Sequence, residues 1–539
     1  MPQSSSSRGK WLIITSILAF LAIVCGILFW RSLHIDQFTR DWVVRSLSER
    51  FDTKVTLASL HVSAFPEMSV EGHNLTIYHR ERTDLSFMQI DQFTFHLGVL
   101  GIFRVPHEIR GVSVKNMTIT VPPRAPHAAT DRAKDVNAPA PEKKQALPAI
   151  LVDEIVCENT MLQILPKQTG KLPLEWDIHA LRLFHAGANR SMAFRGTLTN
   201  AKPKGEIATN GNFGPWNLDE KGATPIDGVY DFTDADLGPF PGIAGILSSK
   251  GKYSGRLDTL QVSGETDTPD FSLDRVGKPV PLHTEYSATV DGLSGDTYLH
   301  PVRATIIKSV IISEGSVVKV PDRGHNISLD VHSEQARIED ILALAMKDAT
   351  PLLSGPAKIK AKLFLPPGKV KVIEKMIMDA DVDIANARWS SPKIREELQS
   401  FSRHGEGKPE DQDAGSAITD LKTKFHLENG SLHFSSLTFS VPGAAVELAG
   451  NYALISGALD FKGHIRLQAK LSDVVGGTKG AFLKPLNPFF SKNGAGTELP
   501  VTITGTRDAP TFGVSIFHKT FNRTVGGNAT PAQNDKAKP

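Results

Sequence analysis

The residues whose spacing best suits chemistry are three aspartates. Asp379, Asp381 and Asp383 alternate in M-D-A-D-V-D-I, so a strand would put them on one face, where three carboxylates can hold a cation. No glycine-bearing calcium loop surrounds them, and the expected reading is a solvated strand face. Gly476-Gly477-Thr478-Lys479-Gly480 has the composition of a phosphate-binding loop. It lacks the G-x-x-x-x-G-K-[ST] spacing that lets backbone amides cradle phosphate, and reads as a connector. The 18 histidines are scattered, and His61, His73 and His79 lack metal-ligand spacing. No G-x-S-x-G elbow and no H-E-x-x-H pair occurs. Cys25 and Cys157 are the two cysteines, which excludes a cysteine-based zinc site or a disulfide framework. No metal, cofactor or enzymatic activity is expected.

What the chain has in abundance is alternation. In Leu459–Leu471 (L-D-F-K-G-H-I-R-L-Q-A-K-L) every odd position is apolar or glycine and every even position is polar. Successive strand side chains point to opposite faces, so such a segment has one greasy and one wettable face. It is expected as one long strand, bending at Gly463. The same pattern recurs at Val55–Val62, Leu75–Ile77, Ile90–Leu97, Val112–Val121 (offset at Asn116, as by a bulge), Ile178–Phe184 and Thr305–Ile312. Asn429-Gly430 is a two-residue hairpin signal between Phe425–Leu427 and Leu432–Phe434. Ile35–Phe51 and Ala336–Lys347 have helical spacing, and the latter is expected to cover a sheet end or edge. Periodicity leaves two solutions open, a closed sandwich or barrel and an open sheet with an apolar groove.

Composition narrows the partners. With 60 Lys plus Arg against 58 Asp plus Glu and no long basic block, nucleic acid is not the expected partner. Trp11–Trp30 is an uncharged run of bilayer length with tryptophan at both ends, preceded by Arg8 and Lys10. It reads as an uncleaved signal anchor, the N-terminus cytoplasmic and the bulk exported. The expected division is a cytoplasmic 1–10, an anchor 11–30, a helix-plus-strands module 31–121 and a disordered Pro/Ala/Lys linker 122–148. A central β region 149–401, a polar loop 402–418, a C-terminal β region 419–515 and a disordered tail 522–539 follow.

Both ends of the chain resemble the AsmA family of inner-membrane-anchored, periplasm-facing proteins. The N-terminal likeness rests on the anchor, Asp52-Thr53-Lys54-Val55, Phe65-Pro66, Glu71–Ile77 and Ile109-Arg110-Gly111-Val112, although Asp52-Thr53-Lys54 lacks the family's glycine. The C-terminal likeness rests on Val441-Pro442-Gly443-Ala444, Leu448–Tyr452, Gly476–Lys479, Pro488-Phe489-Phe490 and Gly496–Thr506. The resemblance implies a mainly β fold, with a transmembrane helix followed by a long curled antiparallel sheet, an open β-groove and a few short covering helices. It implies phospholipid as ligand, passing between inner and outer membrane, with a further outer-membrane or periplasmic protein partner. On that basis the expected groove wall is Val112, Val114, Ile119, Val121, Leu432, Phe434, Leu437, Phe439, Val446, Leu448, Leu459, Phe461, Ile465 and Leu467, each of which would otherwise be ordinary core. The rival expectation is a non-transporting envelope scaffold that meets outer-membrane clients through strand edges.

Overall fold

A computed structural model describes residues 36–524 except 38, 50, 52, 64–67, 80–83, 98–106, 122–149, 166–172, 188–189, 216–220, 274–277, 293, 321–322, 346–350, 352, 369, 391, 409–418, 471, 474–495, 508 and 517–518. The anchor reading of Trp11–Trp30 and the tail after Thr524 lie outside the described residues. Of the described residues 71% are in strands. The chain divides into two compact units, Met1–Ala235 with Lys252–Leu257, and Asp236–Gly251 with Asp258–Pro539.

The first unit begins with a helix, α1 (39–49), and continues with β1 (Val55–Ser63), β2 (Met68–Tyr78), β3 (Ser86–Leu97), β4 (His107–Val121) and β5 (Ile150–Ile164). Then come β6 (Leu174–Gly187), β7 (Met192–Thr199), β8 (Glu206–Phe213) and β9 (Pro225–Asp236). Each strand pairs with the next, antiparallel except for β4 and β5, which run parallel from His107↔Ile150 to Val121↔Ile164. Cross-strand rows such as Leu57–Leu75–Ile90–Met117 and Leu60–Gly72–Phe93–Val114–Cys157 form one apolar face. Val43, Val44 and Leu47 of α1 pack onto it. Burial pushes the Cys157 thiol above its ordinary value, which leaves it protonated and poorly nucleophilic.

Between those two rows every strand of this group slips by one residue, at Ala58-Ser59, His73-Asn74, Asp91-Gln92, Lys115-Asn116 and Glu158-Asn159. The slips are aligned, so the apolar face continues unbroken across them. Asn74, Asn116 and Asn159 take left-handed backbone with φ of 53, 52 and 54°, a conformation asparagine tolerates better than branched residues do. The offset read at Asn116 is thus one member of a transverse row.

The second unit holds β10 (Ile243–Ala244), the first half of β11 (Ile246–Arg256), β12 (Thr259–Leu273), β13 (Val280–Val290), β14 (Thr297–Ile306), β15 (Ser309–Val320) and β16 (Gly324–Arg337). Next are α2 (Ile338–Ala345), β17 (Leu353–Ser354), β18 (Pro356–Leu365), α3 (Val372–Lys375), β19 (Ile377–Trp389) and α4 (Pro392–Glu406). The unit ends with β20 (Thr419–Glu428), β21 (Ser431–Val441), β22 (Ala444–Ala453), β23 (Ala458–Leu467), β24 (Thr497–Thr506), β25 (Ala509–Ile516) and β26 (Lys519–Thr524). From β12 to β26 the strands form an antiparallel ladder in chain order, with short β17 set aside on β19. Among the described residues no ladder joins the first and last strands of either unit, so neither is a closed barrel.

The two edges of the second ladder differ. On one, β20–β21, β22–β23 and β24–β25 are joined by tight hairpins. Asn429 (φ 51°) and Gly430 (φ 70°) make the expected two-residue turn with both φ positive. The other edge carries the connections that contain α2 and α4, and both helices turn onto the apolar face.

Several expectations need correction. The sheet is mixed, because β4 and β5 are parallel. Residues 122–149 therefore connect neighbouring strands of one unit, and no unit boundary falls there. The strand expected over Leu459–Leu471 is β23 and stops at Leu467. Gln468 N donates to Gly443 O, and Ala469 N to Gly405 O at the end of α4, which takes the chain out of the ladder. Gly463 lies in unbroken register opposite Leu448. Residues 402–406, expected in a polar loop, are the last turn of α4. The internal helix is Ile338–Ala345, and 336–337 belong to β16. Residues 522–524, expected in the tail, lie in β26.

Candidate functional site

Alternation along the strands of the second unit gives one apolar face. The C-terminal residues expected to form a groove wall all lie on it, in lateral rows. Leu432, Tyr452 and Leu459 form one row across three strands, Phe439, Val446 and Ile465 another, and Leu437 stands opposite Leu448. Phe434 and Phe461 both face Gly450, and Leu467 faces Ala444. Val112, Val114, Ile119 and Val121 share the apolar face of the first unit, either side of the Asn116 slip. Val121, at the end of β4, is exposed.

Part of the second unit's face is covered. Leu398 and Phe401 of α4 pack on the group containing Val441, Ala444, Val446, Leu448, Phe461 and Leu467. There Leu448, Phe461 and Leu467 are only 3%, 6% and 4% exposed, and burying each fully stabilises by roughly 1.5–3 kcal/mol. Ser402 Oγ donates to Pro442 O at 2.7 Å and fixes the helix end. Ile338 and Leu342 of α2 cover Ala336, Ala357 and Ile384, and Leu344 covers Val280 and Ile306. Asp340 anchors this helix: its Oδ2 accepts from Ser309 Oγ at 2.8 Å and from Lys308 N at 3.0 Å.

Between these covered regions the apolar face continues. Six adjacent strands contribute the row Val331–Ala361–Ala380–Phe425–Phe434–Gly450. An open depression of about 930 Å³ here is lined by the row and by the polar residues that flank it in sequence, among them Asp330, Lys360, Lys362, Asp379, Asp381, Lys424 and His426, so it opens largely onto the charged face. The row has small residues at Ala361, Ala380 and Gly450, and the rings of Phe425 and Phe434 have centroids 5.5 Å apart. The volume lies within the range of small-molecule sites, ~300–1,000 Å³, but the lining is richer in charged groups than such sites usually are. Of the expected wall residues only Phe434 borders this depression. The rest of the row was missed, because no single strand carries the signal.

The opposite face is a ladder of charges. Lys358, Lys360 and Lys362 of β18 stand opposite Asp383, Asp381 and Asp379 of β19. Those aspartates in turn stand opposite Lys422, Lys424 and His426 of β20. Lys424 Nζ is 3.0 Å from Asp381, Lys422 Nζ 3.2 Å from Asp383, and His426 Nδ1 2.7 Å from Asp379. The three aspartates thus lie between cationic strands on a solvated face. Among the described residues no group of three or more His, Cys, Asp or Glu could hold a metal ion.

Fold and site together define an open, mainly β sheet with one apolar and one charged face. No family model, curated protein or solved structure matches the chain.

Proposed function

We propose that the chain is an AsmA-like, inner-membrane-anchored periplasmic protein that binds phospholipid acyl chains on the apolar face of its sheet and contributes to lipid movement between the two membranes. The observation that carries this reading is the apolar row Val331–Ala361–Ala380–Phe425–Phe434–Gly450, running across six strands of a sheet whose other face is charged. An acyl chain needs a continuous apolar lane, while its headgroup stays in water at the rim. The function needs binding and passage, with no bond made or broken.

The test is photocrosslinking in cells with benzoylphenylalanine in place of Phe425 or of Lys424, its neighbour on the opposite face. Phospholipid crosslinked from position 425 and not from 424 is the expected result. No lipid at either position, or equal yields from both, overturns the reading.

A second reading, a scaffold that pairs with a client by strand addition, is favoured by β26, which among the described residues pairs only with β25. A stable client complex without lipid at position 425 would select it.

A further inference from the structure

α1 has two dissimilar sides. Val43, Val44 and Leu47 pack against the first unit's apolar cluster, and Asp36 Oδ1 accepts from Val62 N of β1 at 3.0 Å, fixing where the helix starts. On the outward side Trp42 is 62% exposed, the second most exposed large apolar side chain among the described residues. Arg40, Asp41, Arg45 and Glu49 are exposed around it, with Arg40 Nε 3.5 Å from Asp41. An indole left in water amid charges costs apolar hydration, whereas its flat apolar body and N–H donor suit the bilayer–water boundary.

The length of chain before α1 restricts what can meet this side. Only 31–35 separate Trp30 from Asp36, so Asp36 lies within about 20 Å of Trp30 however that stretch runs. The rise of the helix to Trp42 adds about 9 Å. If Trp30 marks the end of a membrane span, Trp42 cannot leave the neighbourhood of that bilayer surface.

We propose that the outward side of α1 rests in the headgroup layer of the bilayer that holds Trp11–Trp30, with Trp42 as its interfacial contact. This rests on the anchor reading of Trp11–Trp30 and deepens it. The helix is a spacer with two greasy attachments, Val43, Val44 and Leu47 to the sheet and Trp42 to lipid, and it seats the start of the sheet on the membrane surface.

The test is tryptophan quenching by brominated lipid, with the full chain in phosphatidylcholine–phosphatidylglycerol vesicles. In a chain retaining only Trp42, bromine near the glycerol end of the acyl chains should quench at least about twice as strongly as bromine at the bilayer centre. A chain retaining only Trp30 serves as the reference for insertion. Quenching of Trp30 without quenching of Trp42 overturns the proposal and leaves the anchor standing. Absence of quenching from both overturns the two together. Because changing five tryptophans could itself unfold the chain, Trp42→Ser is also made alone. It should lower the fraction of total emission quenched by the shallow bromine, and an unchanged fraction overturns the proposal.

Discussion

Phe434 and Phe461 meet with ring centroids 5.3 Å apart although their strands are not neighbours. Gly450 of β22 lies between them and is the cross-strand partner of both. The contact is possible because Gly450 has no side chain, and β23 has closed in on it: a Cβ there would fall on the Asp460 carbonyl and the Phe461 Cα. Gly450→Ala should therefore destabilise the second unit by about 1–3 kcal/mol through overpacking. Urea unfolding followed by hydrogen exchange in β21–β23 would measure it. A neutral effect would mean that β22 and β23 can separate freely.

The row and the covered core ask for different substitutions. Phe461 and Leu467 lie under α4, so Phe461→Asp should lose several kcal/mol by burying an unpaired charge and would report on folding. Ala361→Phe adds bulk to the apolar row between the regions covered by α2 and α4. It should leave the melting temperature nearly unchanged while cutting lipid crosslinking from position 425 severalfold. Unaltered crosslinking in a folded Ala361→Phe chain would place lipid elsewhere.

Asp340 is 4% exposed and ends a relay in which Arg337 N donates to Ser309 Oγ and Ser309 Oγ donates to Asp340 Oδ2. Asp340→Ala takes this acceptor from Ser309 Oγ and Lys308 N beneath α2 and should cost about 1–3 kcal/mol. Faster hydrogen exchange confined to α2 and the β15 start is the expected signature. Uniform acceleration across the unit would argue against a local anchor.

Glu339 supplies a pH dependence. Burial works to raise its carboxyl, but hydrogen bonds from Gly355 N and its own N–H and the Arg337 guanidinium outweigh this, leaving it below the ordinary 4.5. A depressed carboxylate stabilises the fold fully above its unfolded value and loses that contribution as pH falls through the folded value. Exchange protection of α2 should therefore hold down to about that ordinary value and decline below it. Glu339→Gln should flatten the decline, and an unchanged pH profile would remove Glu339 as its source.

Asp381 stands between Lys360 and Lys424. Asp381→Lys sets three cations abreast and should cost about 1 kcal/mol at low salt, cross-strand pairs being worth roughly 0.2–1 kcal/mol each. Because these groups are exposed, 1 M salt should remove most of the difference. Added calcium should leave the melting of the native chain unchanged, and a clear rise would reinstate the aspartates as a cation site.

What could be read from the sequence was what one strand carries by itself. The alternation of β23 and the turn at Asn429-Gly430 each depend on neighbouring residues, so periodicity reports them directly. The Lys358–Lys362 and Asp379–Asp383 stripes are equally visible, but their complementarity appears only once β18 and β19 pair. The row from Val331 to Gly450 was illegible because Ala361, Ala380 and Gly450 are unremarkable alone and matter only as lateral neighbours. α4 was missed because its apolar side is narrow, chiefly Leu398 and Phe401, in an otherwise polar segment. The parallel β4–β5 pair has no local signature at all, since the intervening composition carries no record of where the chain returns.

That pair constrains how the protein is made. A hairpin partner follows its strand after a few residues, but β4 must wait for residues 122–149 to be synthesised before β5 can add to it. At ~5–20 residues per second the wait is on the order of seconds, long compared with the microseconds in which hairpins form. Throughout it β4 presents an unpaired strand edge fifteen residues long, able to template the wrong neighbour. A nascent chain stalled before Ile150 is therefore where a chaperone would be needed most.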